Sequence, residues 1–327
     1  MTAADTLSNN SLGNYTLVQP TGLTGNITAK ALTVTGTTVS NKIYDGTTTA
    51  TLTGTLSGVV SIDAANVTLV PAGTFSQSNV GTGLAVTAAD TLVGGAAGNY
   101  TLTQPTGLTA NITPKALTVS GSVVNDKVYD GMTAATLSSG SLVGVVSGDN
   151  VSLNQAGTFS QSNVGTGLVV TAADTLSNNS LGNYTLVQPT GLTANITPKA
   201  LTVSNAAASN KVYDGADRAT LTGTLNGVIS ADIPNVSLVQ SATFSQANVG
   251  TGLAVTAADV LLGSVAGNYT LTQPTGLTAN ITPKALTVTG TTVSNKVYDG
   301  TTTATLTGTL SGVVSICLLY TSDAADE

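Results

Sequence analysis

The side chains that could carry chemistry are few in this chain, and the usual catalytic types are scarce. The sequence has 327 residues with no histidine and one cysteine. Without histidine, general acid–base and nucleophilic chemistry is left to carboxylates, lysines, tyrosines and hydroxyl groups. The carboxylates are scattered; they include Asp45, Asp63 and Asp90, and further along the chain Asp130, Asp149 and Asp174. The sequence therefore predicts no enzyme activity and no cofactor.

Calcium is the metal that these residue types would suit best, because hard cations take oxygen ligands. Asp130 precedes Gly131 and Asp149 precedes Asn150, in places where turns are expected and ligands are usually presented. No Asp-x-Asp-x-Asp loop accompanies either aspartate. Aspartate also forms turns by bonding to its own backbone. We prefer this simpler role and predict no metal site, with Asp130 and Asp149 as the calcium candidates.

Lysine and asparagine offer two further kinds of chemistry. Two lysines occur in each segment of about 85 residues that the next paragraph identifies as a repeat, such as Lys115 and Lys127. They could form Lys–Asn isopeptide cross-links, which need a buried acid nearby, but we favour solvated or salt-bridged lysines beside β-edges, where charge deters sheet pairing. Asn-x-Ser/Thr sequons, which can accept glycans, occur at Asn14, Asn66, Asn111, Asn150 and Asn183. Their use is left open by the sequence.

The tyrosines mark an internal repeat. Tyr-Asp-Gly recurs in steps of 85, 84 and 85 residues, and Gly-Asn-Tyr follows the same period. The first motif comprises Tyr44, Asp45, Gly46, Tyr129, Asp130, Gly131, Tyr213, Asp214, Gly215, Tyr298, Asp299 and Gly300, and the second contains Tyr15, Tyr100, Tyr184 and Tyr269. With no tryptophan and three phenylalanines, these tyrosines are the largest apolar side chains available. We predict that they fill the core, with a sugar-binding platform as the alternative.

Short strands are the elements that must position these residues. In residues 115–198, Ala116–Val119 alternates apolar and polar side chains, as a half-buried strand does. About seven or eight such runs follow one another at intervals of roughly 8–12 residues, separated by Gly-, Asn- and Asp-containing turns. No stretch of about 11 residues has helical periodicity. The predicted fold is all-β, with tandem Ig-like β-sandwich-type repeats arranged as beads on a string; β-grasp-like, mostly-β repeats are the alternative.

The repeat sets the predicted domain boundaries. A stretch of this length can bury its own small core, unlike shorter units that must stack. The repeats are joined by Asn-Ile-Thr-Pro-Lys segments that do not resemble flexible linkers, and proline interrupts strand pairing at Pro114, Pro198 and Pro283. We expect stiffly coupled domains. The predicted divisions are residues 1–29 (C-terminal part of a truncated repeat), 30–114, 115–198 and 199–283 (complete repeats) and 284–316 (N-terminal part of a truncated repeat).

Both ends of the sequence are unusual. Met1–Asp5 aligns with Val170–Asp174 inside a repeat, so the missing leader says nothing about compartment. Lys284–Ile316 matches Lys30–Ile62 except for Val297, and the match then stops. Residues 317–327 resemble the translation of a common sequencing adapter, so we exclude them from the fold as non-native sequence. They contain the single cysteine.

Composition excludes several classes of protein. Only 8% of residues are charged while 41% are hydrophobic, which argues against disorder. No run approaches the 18 or so apolar residues of a membrane span. The net charge is −7 and there is no basic cluster, so nucleic acid is not an expected partner.

Four motifs together carry a family resemblance: Lys-Val-Tyr-Asp-Gly, Asn-Val-Gly-Thr-Gly, Gly-Asn-Tyr-Thr-Leu and Asn-Ile-Thr-Pro-Lys-Ala-Leu-Thr-Val. Through them the chain, up to Ile316, resembles the YDG repeats of very large bacterial surface proteins. These are filamentous-haemagglutinin-like adhesins, which often also carry the related MBG repeats. The resemblance implies a secreted or cell-surface stalk without catalytic residues. It also implies that contact with a host or neighbouring cell is made through regions outside this chain. A direct glycan-binding module and a calcium-stiffened rod are the alternatives.

Overall fold

A computed structural model describes residues 1–2 and 4–314. The segment 317–327, which resembles adapter sequence, lies outside the described residues. The described chain is almost entirely β-structure with four short 3-10 helices, so the prediction of a tandem all-β repeat fold is confirmed. Among the described residues, no helix has both the length and the apolar character needed to span a membrane.

Residues 30–114 contain ten strands in three sheets. Their strands are β1 (Lys30–Val39), β2 (Lys42–Ile43), β3 (Thr49–Ala50), β4 (Leu52–Ser57), β5 (Thr68–Val70), β6 (Gly73–Phe75), β7 (Gly81–Ala88), β8 (Thr91–Val93), β9 (Tyr100–Thr103) and β10 (Leu108–Thr113). The sheets have the orders β4-β1-β9, β2-β10-β7-β6-β3 and β5-β8. Two 3-10 helices occur at Ser61–Asp63 and Ala97–Asn99.

Residues 115–198 repeat this plan with a split first strand. Their strands are β11 (Lys115–Ser120), β12 (Val123–Val124), β13 (Lys127–Val128), β14 (Ala134–Ala135), β15 (Leu137–Ser138), β16 (Ser141–Val143), β17 (Ser152–Asn154), β18 (Gly157–Phe159), β19 (Gly165–Ala172), β20 (Thr175–Ser177), β21 (Tyr184–Val187) and β22 (Leu192–Thr197). The sheets are β16-β11-β21, β12-β15, β13-β22-β19-β18-β14 and β17-β20.

Residues 199–283 return to the first plan. Their strands are β23 (Lys199–Ala208), β24 (Lys211–Val212), β25 (Arg218–Ala219), β26 (Leu221–Asn226), β27 (Ser237–Val239), β28 (Ala242–Phe244), β29 (Gly250–Ala257), β30 (Val260–Leu262), β31 (Tyr269–Thr272) and β32 (Leu277–Thr282). The sheets are β26-β23-β31, β24-β32-β29-β28-β25 and β27-β30. Two 3-10 helices lie at Ser230–Asn235 and Ala266–Asn268.

The flanking segments are less structured. Among the residues described after the third repeat, one hairpin occurs, formed by β33 (Thr287–Val293) and β34 (Leu306–Ser311). Before Lys30, no strand occurs among the residues that the structure describes.

The first strand of each repeat organises a mixed sheet. β1 pairs antiparallel with β4 and parallel with β9, which places Leu32 beside Leu102. Because side chains alternate across a strand, Leu32 faces inward and is fully buried, while Thr33 is exposed. The equivalent Leu117 and Leu201 are also fully buried. The tyrosine of the Gly-Asn-Tyr motif in each complete repeat is the first residue of the strand that pairs in parallel with the first strand, as Tyr100 is in β9.

The described chain forms two compact units, and in each the core crosses a boundary between sequence repeats. One unit contains residues 1–121, 140–154 and 174–189, and the other contains 122–139, 155–173 and the residues from 190 onward. In the first unit, Tyr44 and Ile112 share a buried cluster with Leu117 and Tyr184, beyond Pro114.

The second unit has the same arrangement. Tyr129 and Ile196 share a buried cluster with Leu201 and Tyr269, beyond Pro198. The proline therefore separates strands of two sheets without separating the hydrophobic cores of the two repeats.

Candidate functional site at the repeat junctions

At the first junction, two tyrosine hydroxyls share one carboxylate oxygen. Tyr44 donates a hydrogen bond of 2.9 Å to Oδ2 of Asp149, and Tyr184 donates to the same atom. The two rings meet edge to face, with centroids 5.3 Å apart and an interplanar angle of 81°. Tyr44 comes from Tyr-Asp-Gly of one repeat, whereas Asp149 and Tyr184 belong to the next repeat.

The second junction repeats this cluster. Tyr129 and Tyr269 donate hydrogen bonds of 2.8 Å and 2.6 Å to Oδ2 of Asp232. Their ring centroids are 5.4 Å apart with an interplanar angle of 84°. We call these two sets, Tyr44–Asp149–Tyr184 and Tyr129–Asp232–Tyr269, the junction clusters.

Backbone contacts hold the first junction cluster in place. The Tyr44 amide donates to the carbonyl of Thr113, at the end of the Asn-Ile-Thr segment. Tyr184 begins β21, and its hydroxyl also accepts a hydrogen bond of 2.9 Å from the Val146 amide. Each tyrosine is thus fixed at both its backbone and its hydroxyl. A buried hydroxyl without such partners would be costly.

A pair of asparagines adds a second polar contact across the first junction. Asn183, the asparagine of Gly-Asn-Tyr, accepts a hydrogen bond of 3.0 Å from the Val80 amide and donates to Asn79 Oδ1 at 3.0 Å. Asn79 and Val80 open the Asn-Val-Gly-Thr-Gly segment of the preceding repeat. Two of the repeat motifs therefore bind each other between successive repeats.

The second junction has the same amide contact. Asn268 accepts from the Val164 amide at 2.9 Å and donates to Asn163 Oδ1 at 3.0 Å. The sequon asparagine Asn183 is buried, and so is Asn268, its counterpart in the third repeat. These side chains are therefore engaged in packing.

Burial affects the ionisation of the clustered tyrosines. Burial, together with the hydrogen bond to Asp149, raises the pKa of Tyr184 to about 12. Burial and the bond to Asp232 raise the pKa of Tyr269 to about 12 as well. The pKa values of Tyr44 and Tyr129 are raised for the same reasons. At neutral pH all four hydroxyls are therefore protonated and act as donors.

The lysine before each Tyr-Asp-Gly closes the turn that presents the tyrosine. Lys42 Nζ lies 2.7 Å from Asp45 Oδ1 and donates to the carbonyls of Thr47 and Thr49 at 2.9 Å and 3.1 Å. It also lies 6.0 Å from the centroid of the Phe75 ring, a cation–π distance. The same ion pair recurs as Lys127–Asp130, Lys211–Asp214 and Lys296–Asp299.

The glycine of this motif faces the next repeat. Gly46 and Gly131 both have φ of 78°, a left-handed conformation that glycine adopts without steric cost. A β-carbon at Gly46 would lie 3.1 Å from Val146, and one at Gly131 would lie 2.7 Å from Ile229. The left-handed turn favours glycine, and its missing β-carbon leaves room for the side chains of the following repeat.

The predicted site residues are distributed over these features. Asp130 lies in the lysine ion pair, and Asp149 accepts the two tyrosine hydroxyls. Among the described residues there is no group of three or more histidine, cysteine or acidic side chains placed to hold a metal ion.

The other residues of the Tyr-Asp-Gly and Gly-Asn-Tyr motifs form only parts of the junction arrangement. Tyr100 is buried and donates to Asp63 at 2.8 Å, and Tyr213 is partly buried. Tyr15 and Tyr298 are exposed. Gly215 and Gly300 have positive φ. The sequence analysis missed the role of the recurring aspartate at positions 63, 149 and 232, although its return in each of the three complete repeats was the available signal.

A polar pocket opens beside the first junction cluster. It is lined by Asp149 together with asparagines, among them Asn79, Asn150, Asn178 and Asn179. The loop after the aspartate is short here. Asn150 alone separates Asp149 from Val151, whereas Ile233–Asn235 separate Asp232 from Val236 in the third repeat. The other loop that lines the pocket contains Asn178 and Asn179.

Fold and junctions together define a tandem all-β repeat protein in which the repeats 30–114 and 115–198 each insert a tyrosine into the next repeat. The YDG domain matches the chain at residues 28–107, 113–191, 197–276 and 282–325. The chain therefore belongs to the YDG domain family, and the resemblance of its repeats to YDG repeats is confirmed. No curated protein and no solved structure matches it.

Proposed function

We propose that this chain is part of the structural stalk of a secreted bacterial cell-surface adhesin, which extends a binding region away from the cell. The junction cluster is the observation that carries the proposal. A stalk must transmit force from one domain to the next without opening between them. In each junction, a buried tyrosine of one repeat bonds to a carboxylate and an aromatic ring of the next.

The energetics of the junction suit such a role. Separating Tyr44 from Asp149 would break a charge-assisted hydrogen bond, which is about twice as strong as a neutral one. It would also expose a ring that is now buried, and aromatic side chains bury about 150–250 Å² each. The Lys42–Asp45 ion pair and the turn at Gly46 hold Tyr44 in position. Little conformational entropy is therefore lost when its side chain binds the next repeat.

Single-molecule force spectroscopy on the full chain tests the mechanical part of the proposal. We expect Asp149→Ala and Asp232→Ala each to lower the force of one unfolding event. Asp299→Ala is the matched control, because Asp299 is an exposed member of a lysine pair. If both junction variants unfold at the wild-type force, the junction does not carry load and the proposal fails.

The cellular location is tested separately. Antibodies against the repeats should label intact cells that produce the protein as strongly as they label permeabilised cells. Labelling that appears only after permeabilisation would contradict the surface location, whatever the mechanical result.

A second candidate function is direct glycan binding, and the polar pocket at the first junction favours it. Asp149 and the surrounding asparagines combine acceptors and amide donors, as neutral sugars require. Asn178 is exposed and has φ of 60°, a conformation that glycine also adopts. Asn178→Gly therefore removes a pocket side chain without backbone strain.

A glycan array distinguishes the two candidates. Binding that is lost in Asn178→Gly but kept in Asn9→Gly would support the pocket, because Asn9 occupies the same Ser-Asn-Asn-Ser sequence in residues 8–11. Binding that is absent from the wild-type chain would leave the stalk as the better reading.

A further inference from the structure

The two tyrosines of each junction cluster lie close enough together to react with each other. At the first junction, the hydroxyls of Tyr44 and Tyr184 donate to one oxygen atom of Asp149, and the ring centroids are 5.3 Å apart. When two tyrosines join as dityrosine, the new bond links the ring carbons that lie next to the hydroxyl groups. Because both hydroxyls meet at one atom, these carbons are held near each other across the junction.

The composition of the chain makes tyrosine the side chain from which an electron is most readily removed. The sequence has nine tyrosines and no tryptophan. Its single cysteine lies within residues 317–327, and its two methionines are Met1 and Met132. Methionine is oxidised mainly by gaining an oxygen atom, as the sulfoxide. An electron vacancy created within the repeats therefore settles on a tyrosine.

The shared carboxylate favours oxidation of the junction tyrosines. A phenol that loses an electron also loses its proton, so a base already bonded to the hydroxyl makes the step easier. At the second junction, Tyr129 and Tyr269 donate to Oδ2 of Asp232 at 2.8 Å and 2.6 Å. The proton can pass along either hydrogen bond without movement of the ring.

Burial directs a radical on one ring toward the other ring. Tyr44 and Tyr184 are each 5% exposed, and Tyr129 and Tyr269 are 4% and 6% exposed. Such rings are shielded from soluble reductants and from the tyrosines of other chains. An electron can cross a short distance through protein, so the oxidant need not touch the ring. The partner ring is therefore the nearest tyrosine with which the radical can react.

We propose that Tyr44–Tyr184 and Tyr129–Tyr269 are sites of oxidative dityrosine cross-linking, which joins successive repeats covalently. The co-reactant is a small one-electron oxidant, such as a radical derived from a peroxide. Each phenol gives one electron to the oxidant and one proton, through the carboxylate, to water. The two ring radicals form one carbon–carbon bond. The hydrogen on each bonded carbon then moves to the adjacent oxygen as the rings regain aromaticity, so that two electrons and two protons are lost in all.

Photolysis of persulfate with the full chain gives the first test, because it supplies sulfate radical anions as the oxidant. The cross-linked peptides are identified by mass spectrometry after digestion with a protease of broad specificity. At about 1 µM chain, the two junction pairs should exceed every other tyrosine pair about tenfold or more, because reactants held together have a far higher effective concentration. Tyr44→Phe should remove the first cross-link and keep the second, which reports that the chain is still folded. Products dominated by other pairs, or the absence of both junction peptides, would overturn the proposal.

Two controls separate the geometry of the pair from the general reactivity of tyrosine. In urea, both junction cross-links should fall about tenfold or more, because unfolding separates the rings. Asp149→Asn keeps an acceptor oxygen but loses the basic carboxylate, so the Tyr44–Tyr184 cross-link should form more slowly while the Tyr129–Tyr269 cross-link keeps its rate. Equal yields from folded and unfolded chains would overturn the site. An unchanged rate in Asp149→Asn would overturn the role of the carboxylate.

Force spectroscopy on the oxidised full chain detects the covalent bond itself. Either cross-link removes the chain between its two tyrosines from the pulled path, which shortens the final extension by about 460–500 Å. Tyr44→Phe combined with Tyr129→Phe, treated with the same oxidant, should recover this length. If the oxidised wild-type chain extends as far as the untreated chain, no bond joins the repeats and the proposal fails. The stalk role is tested by the unfolding forces of the untreated chain, so the two failures are distinguishable.

Discussion

The hydroxyl of Tyr44 reaches Oδ2 of Asp149 at 2.9 Å across 105 residues of sequence. The carboxylate that it finds also holds Tyr184 of its own repeat. Neighbouring repeats therefore share one partly buried acceptor, and we expect the stability of one repeat to depend on side chains of the next. The Tyr-Asp-Gly motif is in this sense a connector: lysine and aspartate form the turn, glycine allows close approach, and tyrosine enters the neighbour.

The first prediction concerns this shared acceptor. Asp149→Ala leaves two buried hydroxyls without their partner, and we expect a loss of about 2–3 kcal/mol in the free energy of unfolding. Asp63→Ala is the matched comparison, because Asp63 holds one tyrosine, and it should cost less. Urea unfolding followed by far-ultraviolet circular dichroism measures both. Equal losses would show that the inter-repeat bond contributes nothing.

A double-mutant cycle isolates the bond itself. Tyr44→Phe and Asp149→Ala should be non-additive, with an interaction energy of about 1 kcal/mol or more. Tyr100→Phe combined with Asp149→Ala should be additive, because Tyr100 bonds to Asp63.

Much of the fold follows from local sequence, whereas the junction does not. The alternation in Ala116–Val119 predicts a half-buried strand, and Leu117 is buried as that pattern requires. The local sequence does not predict which aspartate accepts the hydrogen bond of a given tyrosine. Tyr129 precedes Asp149 of its own repeat by 20 positions, yet it bonds to Asp232 of the next repeat. Both aspartates occupy the same motif position, so only the tertiary arrangement distinguishes them.

The second prediction concerns the glycine that faces the next repeat. Gly131→Ala should cost about 1–2 kcal/mol for the left-handed backbone and more for the approach to Ile229. Gly107→Ala is the control, because Gly107 has φ of 71° but no neighbour within 4 Å of its β-carbon position. Adding Ile229→Val, which removes the nearest atom, should recover part of the loss in Gly131→Ala. If the two glycine variants lose the same free energy, close packing is not a constraint.

The third prediction concerns the loops beside the aspartates. Gly94 has φ of 118°, and a β-carbon there would collide with the carbonyl of Asn66. Gly94→Asn should therefore destabilise the chain by about 1–3 kcal/mol. The equivalent loop of the second repeat carries Asn178 opposite the shorter loop, so Asn178→Gly should change stability by less than about 1 kcal/mol. Thermal unfolding of both variants compares their stabilities. If Asn178→Gly lost more stability than Gly94→Asn, the longer loop at Asn66 would not be what requires glycine at position 94.

The fourth prediction concerns calcium. Asp130 is engaged by Lys127 and Asp149 by two tyrosine hydroxyls, so we expect equal thermal midpoints in excess chelator and in millimolar calcium. A site occupied at 100 times its dissociation constant would add about 2.7 kcal/mol. A clear upward shift with calcium would support the calcium-stiffened rod instead.

The last prediction concerns alkaline pH. Burial and the hydrogen bonds to Asp149 and Asp232 raise the pKa values of Tyr184 and Tyr269 to about 12, against about 10 in an unfolded chain. Between these values the unfolded state loses a proton that the native state keeps. Stability is therefore constant with respect to these groups below pH 10 and falls between pH 10 and 12. Each tyrosine contributes a slope of up to about 1.4 kcal/mol per pH unit.

Urea unfolding at intervals from pH 8 to 11.5 measures this slope. Tyr184→Phe should make it shallower, because phenylalanine has no proton to lose, and should also lower the stability at pH 8 by removing the bond to Asp149. Tyr15→Phe is the matched control at an exposed position of the same Gly-Asn-Tyr motif, and it should leave both quantities unchanged. A slope that is the same in wild type and Tyr184→Phe would mean that Tyr184 ionises alike in the folded and unfolded chain. Its hydroxyl could not then be the buried donor at the junction.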